Sequence, residues 1–137
     1  MNKTILTPIY IRFKDIDAMG HVNNAVYITF FEEGRKAFLS EVLGITEPSG
    51  YSMILATISC EYIKPLCLTD NAVLETWVAD IGKKSFRFKY RVFDKENPGI
   101  LFAKGESVMV AYNYKDKLSI TIPPEFVKMM NDFTETA

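Results

Sequence analysis

Between residues 15 and 27 the chain reads Asp15-x-Asp17-x-x-Gly20-His21-Val22-Asn23-Asn24-x-x-Tyr27. A polar, turn-like stretch from Lys14 to Asn24 here runs into the strongest helical pattern of the sequence. A helix start has chemistry of its own. Its first N–H groups lack an intrahelical acceptor and its dipole end is positive, so it can stabilise an oxyanion. A carboxylate a few residues upstream can act as nucleophile or general base toward the same carbonyl. Gly20 lets the backbone approach a ligand closely. A carboxylate beside an N–H-lined helix end, with no metal, suits acyl transfer or hydrolysis. Plainer roles stand beside these. Asp17 also fits a turn, Asp15 a carboxylate bonding loop backbone, His21 a structural ring, and Asn23 and Asn24 side-chain caps.

Other chemistries lack their residues. His21 is the one histidine, and the two cysteines, Cys60 and Cys67, form no Cys-x-x-Cys pair, which removes a Cys/His zinc site. No Gly-x-Ser-x-Gly elbow, Gly-x-Gly-x-x-Gly turn or phosphate-binding Gly-Lys-Ser/Thr loop occurs. The 137 residues carry 16 basic and 17 acidic side chains, a formal net charge of −1. Nucleic acid and anionic membranes call for a positive field, so neither is expected as a partner. No apolar run approaches the roughly 20 residues that span a bilayer. The opening Met1-Asn2-Lys3-Thr4-Ile5-Leu6-Thr7-Pro8 lacks the apolar region of a secretory signal. The cysteines read as buried reduced thiols of a cytoplasmic protein.

The positioning elements follow from periodicity. Ile5 to Phe13 reads as a strand. Tyr27, Phe30, Phe31, Gly34, Phe38 and Val42 recur at spacings of three and four, opposite Glu32, Glu33, Lys36, Ser40 and Glu41. This predicts a helix of about 20 residues, with Asn23 or Asn24 as N-cap and Gly44 just past its end. Period two takes over at Ile54, Ala56, Ile58, Cys60 and Tyr62, and Lys64-Pro65 ends that strand. Further strands are expected at Ala72–Ile81, Ser85–Asp94 and Ile100 to about Tyr112. On the second of these, Phe86, Phe88, Tyr90 and Val92 oppose Arg87, Lys89 and Arg91. A short helix begins at Pro123-Pro124. Strands joined by short turns pair antiparallel, so the fold class is α+β: five or six antiparallel strands curled around one long apolar helix. The length fits a single domain over 1–137.

The motif D-x-D-x-x-G-H-V-N-N-x-x-Y opening a long helix resembles the hot-dog-fold thioesterases. The nearest branches are the 4-hydroxybenzoyl-CoA thioesterase-like and the acyl-CoA/acyl-ACP ones. Glu61-Tyr62-Ile63-Lys64-Pro65-Leu66 with Asp70, and Ile81-Gly82-Lys83-Lys84-Ser85-Phe86, resemble the strand turns of that family. The resemblance runs from about Ile9 to Tyr112. It implies a hot-dog fold and hydrolysis of an acyl-CoA or acyl carrier protein thioester to acid and thiol. No metal or resident cofactor is implied, since coenzyme A arrives as part of the substrate. The implied assembly is a homodimer or homotetramer with sites at the subunit interface. By the same resemblance Asp17 is the catalytic carboxylate and Asn24 supplies a backbone N–H to the thioester carbonyl, with Gly20 and His21 between them. Asn23, Tyr27, Thr57, Ser59, Lys64, Lys84 and Ser85 are the candidate substrate contacts. A related branch uses a helix glutamate, to which Glu32 or Glu33 would correspond. A non-catalytic module that binds acyl thioesters is the alternative function.

Overall fold

The computed structural model describes residues 2–135. Five strands form one antiparallel sheet: β1 (Ile5–Pro8), β2 (Met53–Tyr62), β3 (Ala72–Ile81), β4 (Ser85–Asp94) and β5 (Leu101–Asn113). Their spatial order is β1-β3-β4-β5-β2, with the two-residue β6 (Leu118–Ser119) paired to the end of β5. Helix α1 (Val26–Glu41) lies in the curl of the sheet, and a short α2 (Pro124–Met130) closes the C-terminal end. The α+β expectation holds. No helix is long and apolar enough to cross a membrane among the described residues.

The aromatic stripe of α1 does the packing. Tyr27, Phe30, Phe31, Gly34 and Phe38 are all buried, as their spacing requires. Phe31 stacks on Tyr90 of β4 with centroids 4.5 Å apart, and Phe38 meets Phe88 edge-on at 4.9 Å. Each such ring contributes roughly 1.5–3 kcal/mol on full burial. Arg35, which the apolar pattern did not mark, is buried on the same stripe. Its Nη1 donates to the Tyr90 hydroxyl at 3.3 Å, and that hydroxyl bonds the Ser107 hydroxyl.

Bounds differ from expectation where local geometry intervenes. β1 ends at Pro8 rather than Phe13, and a 3-10 turn occupies Phe13–Asp15. One further bond, from the Ile9 N–H to the Ala72 carbonyl at 3.2 Å, reaches the first residue of β3, and beyond it the partner strand has ended. The helix has 16 residues rather than about 20, and neither asparagine is its N-cap: Ala25 holds that position with no side-chain bond. Asn23 instead closes a turn one step earlier. In β2 the register shifts between Leu55 and Thr57, leaving Ala56 as a bulge. An extra residue flips the alternation. Leu55, not Ile54 or Ala56, therefore shares a face with Ile58, Cys60 and Tyr62. Further shifts at Val78/Asp80 and Val92/Phe93 help bend the sheet around α1.

Gly34 is where α1 comes closest to β3. A Cβ there would stand 2.5 Å from Thr76 Oγ1 and 2.6 Å from Leu74 Cδ2, both fully buried side chains. Replacing Gly34 by alanine forces helix and sheet apart, at a cost of about 1–3 kcal/mol for overpacking. Urea denaturation of Gly34→Ala should show a lower midpoint at unchanged slope; an unaltered midpoint would contradict this packing.

Candidate active site

The polar stretch before α1 folds as a miniature hairpin. Ile16 bridges Val22 antiparallel, and the Asp17 N–H donates to the His21 carbonyl at 2.8 Å. The Gly20 N–H returns to the Asp17 carbonyl at 3.0 Å, and Gly20 takes φ +83°, a backbone that L side chains rarely adopt. The hairpin is tied down on both sides. The Asn23 N–H donates to the Asp15 carbonyl, and the Val22 N–H to the Leu66 carbonyl, each at 2.8 Å.

Asp15 supports this loop from beneath. Its buried carboxylate accepts the Arg12 N–H at 2.8 Å and both arms of the Arg12 guanidinium at 3.1 and 3.3 Å. Burial pushes the Asp15 carboxyl up, but these bonds outweigh it and hold it below the usual carboxylate range. Asp15 is thus the loop-bonding residue and Asp17 the one that faces the surface.

Asp17 lines a cleft of about 210 Å³ together with Met19, His21, Val22, Asn24, Tyr27, Tyr62, Ile63, Lys64 and Pro65. Its Oδ1 accepts the Met19 N–H at 2.9 Å and the His21 N–H at 3.4 Å, while Oδ2 makes no hydrogen bond among the described residues. One oxygen is anchored and the other is left for chemistry. At the mouth of α1, the Asn23 carbonyl accepts the Val26 N–H and Asn23 Oδ1 accepts the Ala25 N–H, both at 2.9 Å. The Asn24 N–H between them has no acceptor among the described residues. An unused helix-start donor and an unused carboxylate oxygen therefore belong to residues that line one cleft.

Tyr27, only 3% exposed, forms part of the cleft wall. Burial pushes its phenol up to about 12. Tyr62 meets it edge-on at 5.0 Å, and its own phenol is raised by burial and so keeps its proton. Lys64 sits over the Phe102 ring at 5.8 Å and forms no ion pair among the described residues. Cys60 and Cys67 are free and half-buried.

The cleft thus gathers Asp17, His21, Asn24, Tyr27 and Lys64, with Gly20 and Asn23 shaping its backbone. Four other candidates lie elsewhere in the same chain. Thr57 and Ser59 pair with Val108 and Glu106, on the sheet face opposite Cys60 and Tyr62. Lys84 and Ser85 stand at the β3–β4 turn. Ser85 pairs with Val110 while Tyr62 pairs with Ala103, seven residues along β5, roughly 23 Å at strand rise. Glu33 faces another depression, beside Thr7 and Arg12. Tyr62, Met19 and Ile63 line the cleft without having been singled out as site residues.

A larger hollow, about 520 Å³, lies on the outer sheet face among Ser59, Trp77, Lys89, Arg91, Lys104 and Glu106. Its cations are already engaged: Lys89 with Glu135, Arg91 with Glu75, Lys104 with Glu61. A neutralised, solvated face offers a phosphate little.

A family model described as the thioesterase-like superfamily matches residues 11–130. The chain belongs to that family. Thioester hydrolase is accordingly its general enzyme class. Among relatives of this thioesterase-like chain, the acyl-acyl carrier protein thioesterase ATL3 of Arabidopsis thaliana is 28% identical over 88% of the chain and 66% of its own length. The acyl-CoA thioester hydrolase YbgC of Escherichia coli O6:H1 is 27% identical over 71% of the chain and 75% of its own length. A solved structure described as a predicted thioesterase from Bacillus stearothermophilus superposes with TM-score 0.89 at 21% identity, covering 98% of this chain and 99% of that one. The fold is the hot-dog fold, with α1 as the filling and the five-stranded sheet as the wrap.

The depressed Asp15 carboxyl fixes a pH dependence. A group whose folded value lies below its unfolded value, about 3.9, contributes stability above that value and loses it as pH falls toward the folded one. Wild type should exceed Asp15→Asn in stability by a constant margin above about pH 5, and the margin should shrink below about pH 4. Chemical denaturation across that range measures it; a margin independent of pH would contradict the role of Asp15.

Proposed function

We propose that the protein hydrolyses an acyl thioester carried on a phosphopantetheine arm, as in acyl-CoA or an acyl carrier protein. The observation that carries this reading is the pairing of the unbonded Asn24 N–H with the unbonded Asp17 Oδ2 on residues of one cleft. The thioester carbonyl lies against the Asn24 N–H and the positive end of α1. Asp17, as nucleophile or general base, delivers an oxygen to the carbonyl carbon: its own, or that of a water it deprotonates. The carbon–sulfur bond breaks, the thiolate leaves and takes a proton, and net addition of one water yields acid and thiol. One backbone donor at a developing oxyanion is worth about 3–4 kcal/mol, a factor of roughly 10²–10³ in rate. The roles of Gly20 and His21 are to set the turn and wall of this cleft. Lys64 is the cation at hand for the phosphates of the arm. No resident metal or cofactor takes part in this scheme.

The working unit in this reading is a homodimer, which can associate further into a tetramer. β2 is a ten-residue edge strand with Ile54, Leu55 and Tyr62 exposed. Edges of this length and character call for cover. A second copy pairing its own β2 antiparallel sets the Ile54 end of one strand beside the Tyr62 end of the other. Val110 stands opposite both Ile54 and Ser85 in register. The second copy's Lys84 and Ser85 then approach the cleft from across the seam, which accounts for their distance within one chain. Thr57 and Ser59 lie near the middle of that seam.

The test is thiol release by wild type and Asp17→Asn. The panel is acyl-CoAs from acetyl to palmitoyl, benzoyl, 4-hydroxybenzoyl and phenylacetyl thioesters, and acyl carrier protein esters. Wild type should turn over at least one class, and the variant should lose about two orders of magnitude or more in kcat. Equal turnover by the variant would overturn the role of Asp17. Tight binding without turnover by wild type would favour the acyl-thioester-binding module.

A further inference from the structure

The peptide group that joins Asn24 to Ala25 is held at both poles. Its N–H donates to Asn23 Oδ1 at 2.9 Å, and its carbonyl accepts the phenol of Tyr62 at 2.8 Å. The second bond spans 38 residues and ties the end of an edge strand to the mouth of α1. Tyr62 is 47% exposed, so its burial contributes little to the core; its ring rests edge-on against Tyr27. The preceding peptide, between Asn23 and Asn24, has its carbonyl fixed by the Val26 N–H at 2.9 Å. Across this run, the Asn24 N–H is the polar backbone group left without a protein partner among the described residues.

These constraints act on one direction in space. With the Asn24–Ala25 peptide pinned at both ends, the torsions about the Asn24 Cα cannot drift, and neither can the plane that carries the Asn24 N–H. We propose that Tyr62 is a positioning residue: its phenol, with the Asn23 side chain as the opposing brace, aims the Asn24 N–H into the cleft. This rests on the reading of Asn24 as the donor to the thioester carbonyl. An exposed hydroxyl–carbonyl bond adds little to stability. Its value lies in alignment, because a preorganised donor gains its effect from not having to reorient, and misplacement on the scale of 1 Å can cost 10²-fold.

Tyr62→Phe keeps the ring against Tyr27 and removes the one donor. The expected result is a fall of about tenfold in kcat with KM changed less than twofold and an unchanged melting temperature. Asn23→Ala should lower kcat similarly, and the double variant should lose less than the product of the two, because both bonds brace one peptide. In amide spectra of the free protein, Tyr62→Phe should move the Asn24 and Ala25 signals. An unchanged kcat in Tyr62→Phe overturns the proposal, and so does a rise in KM alone, which would make the phenol a substrate contact. Asp17→Asn separates the two readings. If it retains turnover, the hydrolytic reading fails whatever Tyr62 does. If it loses turnover while Tyr62→Phe stays fully active, only the positioning role fails.

Discussion

The hydrogen bond from the Asn23 N–H to the Asp15 carbonyl closes the loop on which everything else in the site depends. It joins the two ends of a stretch that would otherwise be a free connection between sheet and helix. Between these ends, residues 16–22 fold as a tight hairpin with Gly20 at its left-handed corner. Asp17 is then placed on the rim and α1 starts beside it. The Arg12 guanidinium holds the Asp15 carboxylate, so the anchor of the loop is itself anchored. Beside that anchor, Asp17 Oδ2 and the Asn24 N–H are left without a protein partner among the described residues.

The sheet answers a different need. A helix carrying Tyr27, Phe30, Phe31 and Phe38 on one side has to be wrapped rather than merely covered. Bulges in β2, β3 and β4–β5 pairing supply the curvature, and small residues supply the clearance. The cost is an edge: β2 is paired on one side only, with apolar side chains in view. The dimer proposed for catalysis and the cover that this edge requires are therefore the same arrangement.

Much of this was legible in the sequence. The three-and-four spacing along α1 and the alternation along β4 each report a single buried face; both are buried, except that Val42 at the end of the helical stripe is half-buried at the C-cap. The Asp17-to-Asn24 cluster was legible because loop and helix start are contiguous in the chain. The bulge at Ala56 was not, since one residue outside the ladder leaves period two intact on either side while exchanging the faces. Tyr62 was hidden for another reason: a bond across 38 residues has no local signature. Thr57, Ser59, Lys84 and Ser85 lie apart from the cleft: alternation along β2 does not say which of its faces meets the helix, and the composition of the β3–β4 turn does not say at which end of the sheet it stands.

The account turns on one atom pair, the Asn24 N–H and the carbonyl oxygen it would face. The most direct measurement is the amide spectrum of the isotopically labelled protein during titration with a ketone analogue of acyl-CoA, in which a methylene separates sulfur from an intact carbonyl. The account predicts that the Asn24 amide proton moves downfield by more than its neighbours, with Gly20 and His21 shifting as the cleft fills. Saturable binding of the analogue that leaves the Asn24 signal in place would contradict it.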